Sequence, residues 1–145
     1  MSASVSRRAT ARWSGTTTDG SGELALGSGA FTGPYTLKAR VDDVNGVTNP
    51  EELIAAASAG CFTMSLSSML EEEGTPAQAL ETTGHVRLEQ VEDGFRITRI
   101  LLEVSGAAPG VAPEHLAELA ESAKSTCPVS LALAGTEIVL RTSFE

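Results

Sequence analysis

Between Leu53 and Leu70 the chain runs for 18 residues without one charged side chain, its longest such stretch. Glu51-Glu52 precede it and Glu71-Glu72-Glu73-Gly74 follow it. A bilayer is crossed by ~20 apolar residues, so a membrane span must be considered. Ser58, Gly60, Thr63, Ser65, Ser67 and Ser68 dilute this run, and acids flank both ends. A helix buried nearly all round in a water-soluble fold fits better. Its start is written locally: Asn49 can cap free backbone N–H groups, and Pro50 loses no hydrogen bond at the first helical position. Glu51 and Glu52 then sit where the helix dipole favours negative charge. The Ala, Ser and Gly content lets neighbours approach the backbone closely. The rest of the chain is too small to enclose such a helix, so a second subunit is expected to share it.

Size and charge bound what else the molecule does. The 145 residues suit one domain, 1–145, and 41% hydrophobic content can build a core. Ten basic against 19 acidic side chains give a net charge of −9, which disfavours nucleic acid and membrane surfaces as partners. Two cysteines, Cys61 and Cys127, are too few for an all-Cys zinc site. The N-terminus carries no secretory signal, so a cytoplasmic, reducing setting is expected. No cofactor and no metal are expected.

Around the helix the pattern predicts an α+β fold. Residues 1–8 read as a flexible start. Gly20-Ser21-Gly22 and Gly27-Ser28-Gly29 separate three short strands, the third running Tyr35–Val41, in an antiparallel meander. Residues 81–106 predict a long hairpin turning at Asp93-Gly94, with a bulge near Arg99 where the apolar phase switches. A helix begins at Pro113-Glu114. Thr126-Cys127-Pro128 breaks it and sets Cys127 at the start of a short helix through Ala134. A strand, Glu137–Arg141, closes the chain.

Cys61, beside Ala59 and Gly60, either fills core space as a small hydrophobe or acts as a nucleophile. The second role needs the thiolate. A thiol of pKa ~8.5 is only about 3% ionised at pH 7, and lowering it to ~6 gives about 90% at a cost of about 3.4 kcal/mol. A guanidinium ~4 Å away, at an effective dielectric of ~20, supplies about 4 kcal/mol. One arginine is enough. Arg40, at the end of the third strand, is the leading candidate and Arg12 the alternative. Glu51 is explained by the helix dipole, yet a carboxylate–guanidinium fork would also fix an arginine in one orientation. Cys127 could trap an oxidised Cys61 as a disulfide, or the two could be unrelated core residues, since 66 positions separate them. His85 and His115 form no metal-ligand spacing with a cysteine and no Ser-His-acid pattern.

Thr48-Asn49-Pro50-Glu51-Glu52-Leu53-Ile54-Ala55-Ala56-Ala57, leading into Ala59-Gly60-Cys61-Phe62, resembles the helix of the OsmC/Ohr family of thiol peroxidases. Lys124-Ser125-Thr126-Cys127-Pro128-Val129-Ser130 is similar to that family's second cysteine motif. Gly94–Ile100 and Trp13 add to the likeness, which covers almost the whole chain and points to the osmotically inducible OsmC branch. The resemblance implies an intertwined homodimer with antiparallel sheets wrapped around long central helices. It implies Cys61 as peroxidatic thiolate, Cys127 as resolving thiol, Arg40 as its stabiliser and Glu51 as the group orienting Arg40. It further implies organic hydroperoxide substrates and an external dithiol reductant, such as a lipoylated protein. The alternative is a non-enzymatic dimer that senses redox state or binds a small ligand.

Overall fold

The computed structural model describes residues 3–145. Of the expected flexible start, Met1 and Ser2 lie outside the described residues, and residues 3–8 are exposed and belong to no helix or strand. The chain forms two compact units, one ending at Pro50 and one spanning Glu51–Glu145.

The N-terminal unit is built on the expected meander, with β1 (Ala9–Ser14), β2 (Ser21–Leu26) and β3 (Thr32–Tyr35) paired antiparallel in that order. One expectation fails here. The third strand stops at Tyr35, and Leu37–Val41 form a short helix, α1, so Arg40 is helical and does not close a strand. The reason is local. The Thr36 hydroxyl accepts from the Ala39 N–H at 3.1 Å, and Leu, Lys, Ala and Arg behind it are all strong helix formers. The Asn49 side-chain amide donates to the Ala39 carbonyl at 2.9 Å and the Thr48 N–H to that of Pro34 at 3.0 Å.

The C-terminal unit carries α2 (Pro50–Glu72), β4 (Ala79–Val91), β5 (Gly94–Ala107), α3 (Pro113–Thr126), α4 (Pro128–Ala132) and β6 (Glu137–Phe144). Its sheet runs β4-β5-β6. The hairpin turns at Glu92-Asp93, one residue before the expected Asp93-Gly94, because Gly94 pairs with Val91 as the first residue of β5. It bulges where expected, with Arg87 facing Arg99 and Leu88 facing Ile97, leaving Thr98 as the extra residue. That residue is held by the Arg87 Nε at 3.0 Å and donates to Glu89 at 2.9 Å. The sheets are not wholly antiparallel, because β6 pairs parallel to β5. Parallel neighbours need a long crossover, and α3 and α4 supply it.

Phe62, Leu66 and Leu70, one helical turn apart on α2, are fully buried. They form one core with Ile100, Leu102 and Val104 of β5 and Leu116, Ala120 and Ala123 of α3. Each of the larger side chains contributes about 1.5–3 kcal/mol by leaving water. Where α2 crosses β4 the contact is backbone to backbone: a β-carbon on Gly84 would lie 2.8 Å from the Ala55 carbonyl oxygen. Beside it the Thr63 and Thr82 hydroxyls pair at 2.7 Å. Thus α2, long and apolar enough to cross a membrane, is a core helix.

The expectation of burial nearly all round fails for the single chain. Ser58, Phe62, Leu66 and Leu70 are covered, whereas Ala56, Gly60, Met64, Ser67 and Ser68 are exposed, Met64 by 75%. A β-carbon at Gly60 would meet nothing within 4 Å.

Candidate active site

Pro128 decides the place of Cys127. A residue before proline is driven out of helical geometry, and Cys127 is extended at φ −65° and ψ 140°. It therefore ends α3 and caps α4 at once, with its side chain turned inward and 1% exposed. Its sulfur accepts from the Ser130 N–H at 3.4 Å, and its S–H donates to the Ser130 Oγ at 2.9 Å. Ser130 is itself buried.

Cys61 arrives from the middle of α2, half-buried and packed against the same core as Cys127. Both thiols are free. Cys127 lies within hydrogen-bonding reach of Cys61, although 66 positions separate them in the chain. Burial pushes the Cys61 thiol up from its ordinary value, most strongly of all influences. The Val129 backbone N–H acts in the opposite direction, and Cys127 raises it further by hydrogen bonding and charge. This is the reverse of the lowering that the nucleophile's role requires.

Arg40 is exposed on α1 in the N-terminal unit, where it borders a cavity of about 250 Å³ with Trp13, Tyr35, Leu37 and Pro50. Trp13 and Tyr35 meet edge to face there, with ring centroids 5.4 Å apart. Glu51, in the first turn of α2, is buried at 6% exposure. Arg12 lies on the exposed β1, 3.9 Å from Glu23, a surface pair of little energetic weight. His85 is paired with Glu103 at 2.7 Å and His115 with Glu73 at 2.8 Å, both on the surface.

Val129 and Ser130 stood in the second cysteine motif, but the contacts of the Val129 amide and of Ser130 with the two sulfurs were not read from the sequence. The spacing that could have revealed them is Cys-Pro-Val-Ser, which puts a cap residue three positions ahead of a backbone N–H and a hydroxyl in the first helical turn.

The profile of the OsmC-like protein family matches residues 43–143. Over 130 residues the chain is 39% identical to peroxiredoxin OsmC of Escherichia coli (strain K12), covering 89% of this chain and 90% of that protein. The chain belongs to the OsmC-like protein family. A second relative of this OsmC-like protein is the organic hydroperoxide resistance protein OhrA of Bacillus subtilis (strain 168), 32% identical over 66% of this chain and 67% of that one. The α+β fold of this chain is similar to that of the organic hydroperoxide resistance protein from Elizabethkingia anophelis, with a TM-score of 0.78 at 26% identity over the full length of both chains.

Proposed function

We propose that this OsmC-like protein is a cysteine-based peroxidase that reduces organic hydroperoxides. The observation that carries the reading is the meeting of Cys61 and Cys127 across 66 positions of chain, a half-buried thiol beside a buried one. The relatives named peroxiredoxin and organic hydroperoxide resistance protein support the same activity.

In the first step the Cys61 thiolate attacks one peroxide oxygen. The O–O bond breaks, sulfur is oxidised to sulfenic acid, and the other oxygen leaves as alkoxide and is protonated to the alcohol. In the second, Cys127 attacks that sulfur, an S–S bond forms, and the sulfenic hydroxyl leaves as water. An external dithiol, in our reading a lipoylated protein, then reduces the disulfide by exchange. Burial opposes the first step by favouring the neutral thiol. We assign Arg40, oriented by Glu51, to offset this, since a guanidinium ~4 Å away supplies about 4 kcal/mol. The uncovered face of α2 supports a homodimer in which a second copy lies on it, and the reducing chemistry suits the cytoplasm.

Stopped-flow hydroperoxide consumption with added dithiol tests the function. Cys61→Ser is expected to remove turnover, and a variant that turns over at the wild-type rate overturns the proposal. Stoichiometric oxidation without turnover would favour a redox sensor instead.

A further inference from the structure

The disulfide-forming step has a requirement that neither cysteine meets alone. Cys127 is 1% exposed, so water cannot orient its thiol or solvate the charge its sulfur carries once the proton leaves and before it attacks the Cys61 sulfenic acid. Ser130 supplies two groups at that sulfur. Its N–H reaches Sγ at 3.4 Å, and its Oγ accepts the S–H at 2.9 Å. A hydroxyl rotates freely and is donor as well as acceptor. As the proton leaves Cys127, the same hydroxyl can turn and donate to the sulfur, and a hydrogen bond to an ionised partner is about twice as strong as a neutral one.

From this geometry we infer that Ser130 is a positioning residue for the resolving step, holding the Cys127 thiol in one orientation and stabilising its sulfur while the disulfide forms. This rests on the peroxidase reading and adds to it. The bookkeeping is closed: the S–S bond forms, the S–O bond of the sulfenic acid breaks, and the Cys127 proton leaves with the hydroxyl as water. Ser130 is unchanged at the end.

The test separates the two half-reactions. Reduced protein is mixed with one equivalent of an alkyl hydroperoxide. Peroxide loss reports Cys61 oxidation, and quenched mass spectrometry counts sulfenic acid against disulfide. Ser130→Ala keeps the backbone N–H and deletes only the hydroxyl. It is expected to slow disulfide formation about tenfold or more, the factor carried by one hydrogen bond to a charged group. Sulfenic acid should then accumulate, and the pH profile of the second step should move to higher pH. Ser130→Thr, which restores a hydroxyl, should recover the rate. Disulfide formation at the wild-type rate and pH profile in Ser130→Ala overturns the role of Ser130. Failure of the wild type itself to consume hydroperoxide overturns the peroxidase reading instead. If the alanine variant does not fold, the wild-type infrared S–H stretch decides. A band assigned to Cys127 by its loss in Cys127→Ser should lie at the low frequency of a donating thiol, and a free-thiol frequency overturns the inference.

Discussion

Cys61 of α2 and Cys127, at the junction of α3 and α4, pack as neighbours in one core, each reached by an N–H of the first turn of α4. Burial and the second thiol raise the Cys61 pKa, with the Val129 amide pulling against them. A peroxidatic cysteine needs the opposite balance at neutral pH.

That conflict yields a measurement on Arg40. With its guanidinium serving Cys61, the midpoint of alkylation against pH should lie below that of Arg40→Ala. In the variant burial, Val129 and Cys127 act without it, and the midpoint should stand above the ordinary thiol value. Lys at this position should recover part of the shift, because charge without the planar fork is a partial substitute. Equal midpoints in wild type and Arg40→Ala would remove Arg40 from the site.

The bare face of α2 gives a test of assembly. Met64 is 75% exposed and Gly60 has open space beside it. A charge placed there costs little in the isolated chain and much beneath a partner, where desolvation takes several kcal/mol. Met64→Glu is expected to sediment as a folded monomer, against a wild-type dimer. A dimeric variant would mean that the second copy binds elsewhere.

His115 links the two helices of the core at their ends, 2.8 Å from Glu73 and 3.6 Å from Glu118. The Glu73 contact, above all, raises its pKa above the ordinary 6.5, with Glu118 adding a smaller part. The folded value therefore exceeds the unfolded one. The contact stabilises in full below pH 6.5 and is lost as the pH climbs through the folded value. Thermal melts of His115→Gln should fall below wild type at acid pH and converge with it at alkaline pH. A constant gap across that range would show that charge plays no part.

Local rules carried much of this molecule. Asn49-Pro50-Glu51-Glu52 announced α2 because caps, proline geometry and the helix dipole act within one turn. Asp93-Gly94 and the phase switch between Ile97 and Ile100 announced the hairpin and its bulge, since side chains alternate strictly along a strand. Where two local preferences competed, the reading failed. The segment after Tyr35 alternates well enough for a strand, and the Thr36 cap turned it into α1. The likeness of the two cysteine motifs to the OsmC/Ohr family also stood in the residues themselves.

What the sequence determined alone was therefore most of the elements, the two cysteine motifs and the family. What only tertiary structure decided was that these thiols meet, that Ser130 holds one of them, that β6 lies parallel to β5, and that one face of α2 stays open. The reason is range. Capping and periodicity depend on residues a turn or a pleat apart, whereas the environment of a sulfur depends on whichever distant segments the core packs against it.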